Sequence, residues 1–432
     1  MNSRTNLKHL MPILIFLYVF TIFTLRIYKA YNEQGLPLIG WDTFHYLATG
    51  ICFYRAPFDY GLPRIPDIIN GAIEVILPLQ IAVLLIPLYR FLLNVILLLY
   101  IFLTIRHSKE EYDIYIVLLL TLIPLYFVDL IRFTWYLFFL YFALYYALSR
   151  SSLKRSFALY FLGTVLTYRE THLTFIFTLI YLIVLSVFKF SHYVSRYEKY
   201  IYNFFVIILI MYLIFFIHLH NLLNSIILLM FTSYYVLSIV LVLLYLYLKK
   251  AYTYGIVIML LSSPFIYVGG IDRIAYTIVL LFYMFLPYLK HKKLHISINL
   301  YKSMLFMFGL AFTLLHAYLM TTPYYLNSYR HWFTSSDVSF ASSLAFYINN
   351  NVNTRYILFL YDFDNYGRDI IFFDLVQYFS NCKFYYYIYQ LNLHQTNMPK
   401  NIYNVTYIYV DFKSKTFTVI SQEDFLKQIK RS

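Results

Sequence analysis

The sequence predicts an all-α polytopic membrane bundle followed by a small C-terminal α/β domain. Hydrophobic residues make up 61% of the 432 residues, and charged residues only 12%, about half the charged fraction of a soluble globular domain. Apolar runs of about 18 residues or more, enough to cross a bilayer as a helix, recur along the chain. Only the segment 324–432 combines many acidic residues with no apolar run of that length.

The apolar runs predict about eleven transmembrane helices. They lie at roughly residues 10–28, 90–105, 114–128, 132–148, 157–168, 172–188, 201–219, 224–248, 252–268, 273–289 and 300–320. Residues 29–71 form a long first loop. Residues 72–88 carry Glu74, Pro78 and Pro87, so we expect this segment to re-enter or lie along the membrane.

The basic residues set the expected orientation. Lys and Arg concentrate in the loops that a cytoplasmic N-terminus places inside the cell, as membrane proteins prefer. We therefore expect a multi-pass protein of the cell (plasma) membrane. Residues 1–323 form its membrane domain, with 29–71 as the first extracytoplasmic loop, and residues 324–432 form an extracytoplasmic α/β domain.

The C-terminal segment alternates predicted helices with predicted strands. The strands are rich in aromatic and β-branched residues. Strands are expected at 355–361, 383–389 and 405–412, and helices at 337–350, 367–379 and 422–430. Asn404 and Thr406 belong to an N-glycosylation triplet, on the outer side in this orientation.

Composition excludes several classes of function. The formal net charge of +14 would favour nucleic acid in a soluble chain, but here the basic residues mark cytoplasmic loops, so we expect no nucleic-acid partner. With 11 glycines no Gly-rich phosphate loop occurs. The two cysteines, Cys52 and Cys382, lie far apart in the sequence, so neither a disulfide framework nor a zinc cluster is predicted. No cofactor and no metal is expected.

Ionisable residues gather in the predicted outer turns, and charges at membrane depth often mark functional sites. The groups are Asp42, His45, Arg55, Asp59 and Arg64 in the first loop, then Asp129 with Arg132, then Arg169, Glu170 and His172, and finally Asp272 with Arg273. Each has a structural alternative. Asp42 could cap a following helix, Asp129 and Arg132 could form an i, i+3 salt bridge, and the other arginines could anchor at the interface.

Arginines beside carboxylates suit a phosphate-bearing substrate. Arg binds phosphate through bidentate hydrogen bonds, and a nearby carboxylate can act as a general base toward a hydroxyl. Aromatic residues, 22% of the chain, could supply stacking faces for sugars and for an isoprenoid tail, although core packing explains them equally well. The pattern favours a phosphate-bearing lipid as substrate.

Three segments carry a resemblance to a known superfamily. They are WDTFHYLATGICFYRAPFDYG (41–61), LGTVLTYRETHLTFIFTLIYLI (162–183) and GGIDRIAYTIVLLFYMFLPYL (269–289). In order and layout they resemble the GT-C superfamily of membrane glycosyltransferases, such as the protein O-mannosyltransferases and the aminoarabinose transferase of lipid A. Thr43 stands where many members have a second acid, which argues against a close O-mannosyltransferase.

The resemblance implies an inverting glycosyltransferase that uses a polyprenyl- or dolichyl-phosphate sugar and an extracytoplasmic glycan, lipid or protein acceptor. It implies Asp42 as general base and Arg169 and Arg273 as phosphate ligands. Residues expected to position substrate are His45, Arg55, Asp59, Arg64 and Glu170. Two alternatives stay open: a surface-polysaccharide polymerase or ligase that uses lipid pyrophosphate donors, and a lipid or sugar transporter. The long first loop favours the GT-C interpretation over the former, and the missing internal repeat argues against the latter.

Overall fold

The chain is mostly helical and ends in a mixed β-sheet. The structure, a computed structural model, describes residues 17–36, 41–55, 64–96, 131–149, 152–168, 171–219, 226–268, 271–289, 334–361, 366–390, 395–396 and 404–431, with short gaps inside 17–36, 64–96 and 190–197. The chain divides into two compact units. A helical unit comprises Met1–Phe20, Leu92–Val128 and Arg132–Tyr318, and a mixed unit comprises Thr21–Phe91, Asp129–Ile131 and Leu319–Ser432.

The helical unit contains eight described α-helices. They are α3 (Ile131–Ser149), α4 (Leu153–Thr167), α5 (Thr171–Lys189), α6 (Glu198–Leu219), α7 (Ile226–Leu248), α8 (Tyr252–Ser262), α9 (Pro264–Val268) and α10 (Ile271–Phe285). The corresponding predicted apolar segments are confirmed as helices. Those at 114–128 and 300–320 lie outside the described residues.

Proline explains two differences between the predicted and observed helices. The segment predicted as one helix over 252–268 is interrupted between α8 and α9, where Pro264 begins the new helix. Proline lacks the amide hydrogen that a helix interior needs and suits a first helical position. The helix predicted over 273–289 likewise changes after Phe285 into a 3₁₀ turn, Leu286–Leu289, that contains Pro287.

Buried aromatic side chains form the core of the helical unit. The rings of Tyr160 and Tyr181 stack with centroids 3.9 Å apart, and the Tyr136 and Tyr160 hydroxyls are 2.8 Å apart. Phe177 and Phe265 meet edge to face at 5.4 Å. All five are buried, so a large share of the described aromatic residues in this unit contributes to packing.

The mixed unit contains a five-stranded sheet with the order β3-β2-β1-β4-β5. Its strands are β1 (Tyr356–Tyr361), β2 (Tyr385–Gln390), β3 (Gln395–Thr396), β4 (Val405–Asp411) and β5 (Thr416–Ile420). β1 pairs in parallel with β2 and β4, while β3 and β5 add antiparallel edges. The three predicted strands are confirmed. β3 and β5 were missed, and β5 shows why, because most of its side chains are exposed.

Five helices belong to the mixed unit: α1 (Trp41–Arg55), α2 (Ile65–Ile76), α11 (Ser335–Asn351), α12 (Tyr366–Phe379) and α13 (Gln422–Arg431). The three helices predicted in the C-terminal segment are confirmed as α11, α12 and α13. α11 begins with a capping box, in which Thr334 and Asp337 bond each other's backbone amides. The segment predicted as the first loop holds α1 and the start of α2.

Alternate side chains of β1 serve two cores, as the period of a strand requires. Ile357, Phe359 and Tyr361 join the larger core, which also holds residues of α1, α11 and α12. Leu358 and Leu360 join a smaller core with α13 on the other side of the sheet. The first-loop helix α1 is therefore part of the same hydrophobic core as the C-terminal segment.

A disulfide also joins these parts of the mixed unit. Cys52 of α1 is bonded to Cys382, which follows α12, across a sequence separation of 330. The sequence analysis did not predict this bond. Sequence distance says nothing about spatial distance once α1 packs against α12.

Close packing of α1 on α2 depends on two glycines. A Cβ atom at Gly50 would lie 2.8 Å from the backbone nitrogen of Gly71, closer than real side chains approach. The absence of side chains at both positions lets the two helix backbones touch. This contact sets the spacing between the polar residues of α1 and those of α2.

Candidate functional site

A chain of polar contacts runs through the mixed unit. Tyr386 of β2 donates a hydrogen bond to Asp374 Oδ1 over 2.6 Å. The other carboxyl oxygen of Asp374 lies 3.2 Å from His45 Nδ1. His45 is on α1 and Asp374 is on α12, so the chain links the first loop to the C-terminal segment.

The chain continues from His45 into α2. Arg64 Nη2 is 3.2 Å from His45 Nε2. Arg64 Nε donates to Asp67 Oδ2 over 3.1 Å, and the Arg64 backbone amide donates to the same oxygen at the start of α2. Thr49 of α1 donates to Asp67 Oδ1 over 2.7 Å, which closes the contact between the two helices.

The contacts of His45 with Asp374 and Arg64 favour one arrangement of the ring hydrogens. A guanidinium only donates hydrogen bonds, so Nε2 facing Arg64 must be the acceptor. A neutral imidazole with an acceptor at Nε2 carries its proton on Nδ1 and donates it to Asp374. A doubly protonated ring would bring two donors together at Arg64. We therefore assign His45 as the neutral Nδ1–H tautomer on hydrogen-bond grounds.

Exposure differs sharply along the chain of contacts. The side chain of His45 is 38% exposed, whereas that of Asp374 is 4% exposed. Arg64 and Asp67 are also buried and form an ion pair. A molecule in the surrounding solvent would therefore meet His45, with the buried groups holding the ring from behind.

The structure brings together two of the predicted site residues, His45 and Arg64. Arg55 is exposed at the end of α1, ten positions after His45. The backbone of Asp42 lies in the first turn of α1, three positions before His45. Its side chain, like Asp59, Arg169 and Glu170, is outside the described residues.

Arg273 belongs to α10 of the helical unit and is partly buried. His172 lies exposed in the first turn of α5. Of the other charged residues in the predicted outer turns, Arg132 and Asp272 lie in α3 and α10 by their backbones, and Asp129 is outside the described residues.

Four residues of the polar chain were not predicted: Thr49, Asp67, Asp374 and Tyr386. Asp67 could have been predicted from the neighbouring sequence. It lies three positions after Arg64, and Pro66 marks the start of α2. Asp374 is 329 positions from His45, and only the packing of α12 on α1 reveals their contact.

A second group of buried polar side chains lies on α2 and α12, the helices that also carry Asp67 and Asp374. The polar atoms of this group have no hydrogen-bond partner among the described residues. It comprises both polar atoms of the Asn70 amide, both oxygens of the Glu74 carboxyl and the Tyr378 hydroxyl. Burial raises the pKa of Glu74 well above its ordinary value. Burial, and then the nearby Glu74, raise the pKa of Tyr378.

Metal ligands are not clustered in the part of the chain that the structure describes. Within those residues, no group of three or more His, Cys, Asp or Glu side chains is placed to hold an ion. The polar chain instead offers an imidazole, a guanidinium and carboxyl groups, which suit hydrogen bonding and proton transfer.

Comparison of the chain with protein-family models, curated proteins and solved structures finds no match in any of the three.

Proposed function

We propose that the chain is an integral membrane glycosyltransferase of the GT-C type. It transfers a sugar from a polyprenyl- or dolichyl-phosphate donor to an extracytoplasmic glycan, lipid or protein acceptor. The observation that carries the proposal is the packing of α1, the helix with Asp42 and His45, against the C-terminal α/β segment in one core, with a disulfide between them. Disulfides persist in oxidising compartments, which favours an extracytoplasmic position for both.

The surface of two helices supports insertion in a membrane. By length and hydropathy, two described helices reach membrane length, within His172–Lys189 and Glu198–Phe215. Only 28% and 17% of these windows are buried, and Phe175 and Met211 are among their exposed side chains. A core helix of a soluble protein would be mostly buried. Extensive exposed apolar surface of this kind fits lipid as its neighbour.

The proposed reaction is a single displacement. Asp42 accepts the proton of the acceptor hydroxyl as its oxygen forms a bond to the anomeric carbon, and the bond from that carbon to the phosphate oxygen breaks. The lipid phosphate leaves with the electron pair, and the anomeric configuration inverts. Phosphate is a good leaving group, so one base suffices. Arg169 and Arg273 are proposed as phosphate ligands from the sequence resemblance alone.

The test compares transfer by the wild type with transfer by Asp42→Asn. Membranes containing equal amounts of each protein are given radiolabelled polyprenyl-phosphate sugars and native acceptor lipids. Loss of a general base lowers the rate by about 10²- to 10⁴-fold. The matched control is Asp424→Asn, which changes an exposed acid of α13 and should leave transfer unchanged.

Two results count against the proposal in different ways. Full transfer by Asp42→Asn removes Asp42 from the mechanism. No transfer by the folded wild type from any lipid-phosphate sugar contradicts the glycosyltransferase assignment and returns the choice to a pyrophosphate-dependent polymerase or a transporter.

A further inference from the structure

His45 is a half-exposed, neutral member of a hydrogen-bonded chain whose charged members, Asp374, Arg64 and Asp67, are buried. The chain reaches it from two sides, through Asp374 at Nδ1 and Arg64 at Nε2, each at 3.2 Å. Such an arrangement holds an imidazole in one orientation and one protonation state while leaving an edge of the ring accessible. The packing of α1 in the core does not by itself require hydrogen bonds to both ring nitrogens of His45.

We propose that His45 contacts the sugar substrate and that Asp374, supported by Tyr386, is the positioning residue that keeps His45 in the Nδ1–H tautomer. This inference rests on the proposed function, since a sugar is the substrate that it supplies. In this tautomer Nε2 is a hydrogen-bond acceptor, and a sugar hydroxyl is a donor that matches it. The C-terminal segment thereby contributes directly to a site that begins in the first loop.

The contact between Arg64 and Nε2 is one that a hydroxyl can replace. Arg64 keeps a separate bond from Nε to Asp67, so it stays paired when a hydroxyl takes its place at Nε2, and the ring keeps its bond from Nδ1 to Asp374.

Asp374 is suited to positioning because it is itself held. Its two oxygens are shared between Tyr386, at 2.6 Å, and His45, and α12 is tied to α1 again at Cys52–Cys382. In Asp374→Asn an amide N–H can face His45 Nδ1. That arrangement favours the opposite tautomer, with an Nε2–H aimed at Arg64, and removes the acceptor that the sugar needs.

The expected kinetic effect is a fall in kcat/KM of about 10- to 100-fold for Asp374→Asn, the range known for residues that orient metal-bound histidines. His45→Gln should lose at least as much. Tyr386→Phe should lose less, because it removes only one bond to Asp374. The matched controls are Tyr387→Phe, which changes the next residue of β2 on the opposite face of the sheet, and Asp424→Asn. Both should match the wild type.

A second measurement does not depend on turnover. Full-length protein labelled with ¹⁵N-histidine is purified in detergent, and the His45 signals are identified by their loss in His45→Gln. The inference predicts a protonated Nδ1 and an unprotonated Nε2 in the wild type, and a changed pattern in Asp374→Asn. Simple loss of folding would instead disturb signals of the other histidines.

The outcomes separate this inference from the proposed function. A wild-type His45 protonated at Nε2, or an Asp374→Asn variant with unchanged kcat/KM, overturns the positioning role even if sugar is transferred. A wild type that transfers no sugar refutes the proposed function and with it the sugar contact at His45. The tautomer measurement then still decides whether Asp374 positions the ring.

Discussion

Glu74 is a residue whose surroundings conflict with its chemistry. Neither carboxyl oxygen has a hydrogen-bond partner among the described residues, and the same holds for both polar atoms of Asn70, one helical turn earlier. An ionised carboxylate would be strongly penalised there, and burial accordingly raises the pKa of Glu74. The folded chain therefore retains a proton on Glu74 at a pH where the unfolded chain releases it.

This shift predicts how the stability of the mixed unit varies with pH. Because the folded state binds the proton more tightly, the contribution of Glu74 is most favourable below the ordinary value of 4.5 and is lost progressively as pH rises toward the raised pKa. Between about pH 5 and about pH 8 this contribution should lower the melting temperature of the wild-type protein in detergent. Glu74→Gln should remove much of this difference, and Glu74→Leu should raise the free energy of unfolding by about 1–3 kcal/mol.

Thermal unfolding measured over that pH range provides the test. Glu423→Gln changes an exposed acid on α13 and should leave the wild-type profile unaltered. A Glu74→Gln profile that parallels the wild type would show that Glu74 is not the group responsible.

At the scale of residues, the sequence predicted the two members of the site that lie near each other in the sequence. His45 and Arg64, both taken from the first loop as positioning residues, lie 3.2 Å apart. Asp374 and Tyr386 could not be predicted as site residues. Nothing in the neighbouring sequence distinguishes a buried Asp on an apolar helix, or one Tyr among 50, as functional. Their role depends on how α12 and β2 pack beside α1, which pairwise spacing does not encode.

At the scale of elements, α1 and α12 are joined at two points. His45 meets Asp374 near one end, and the Cys52–Cys382 disulfide lies near the other. The intervals are seven positions along α1 and eight from Asp374 to Cys382, which lies three residues beyond the end of α12. The disulfide therefore holds α1 beside the C-terminal end of α12 and supports the contact of His45 with Asp374.

Removing the disulfide should weaken the mixed unit. A link across so long a loop stabilises a fold by about 2–5 kcal/mol. Cys52→Ser, Cys382→Ser and the double variant should all lower the unfolding temperature by the same amount, because each breaks the same bond. Reductant should lower that of the wild type and leave all three variants unaffected. A double variant as stable as the wild type would contradict this account.

The elements themselves were mostly predictable. The strong apolar runs predicted α3 to α8 and α10, and aromatic and β-branched runs predicted β1, β2 and β4, since burial on both sides of a parallel strand requires such residues. β5 escaped because an exposed edge strand has no such pattern. The position of α1 within the core of the C-terminal segment escaped as well, because it depends on a tertiary contact.

At the scale of the whole molecule, the sequence predicts that Lys154 faces the cytoplasm and that Asp424 lies outside the cell. Because the two cysteines form a disulfide, the wild type offers no free thiol, and each introduced cysteine can be probed alone. Asp424→Cys on exposed α13 should react with a membrane-impermeant maleimide in intact cells. Lys154→Cys, also exposed, should react only after permeabilisation.

Equal labelling of both variants in intact cells would contradict the proposed topology. Wild-type protein treated with the same maleimide gives the background signal. Reversed labelling would put the mixed unit, with Asp42 and His45, in the cytoplasm. That result would conflict with both the disulfide and an extracytoplasmic reaction.

The stereochemistry of one turnover tests most directly whether this chain catalyses an inverting sugar transfer. Purified full-length protein would be given a polyprenyl-phosphate sugar of defined anomeric configuration, with native membrane lipids as acceptor, and the linkage in the product would be determined by NMR. The account predicts a product of the opposite configuration that forms with the wild type and not with Asp42→Asn. A product of retained configuration would contradict the account.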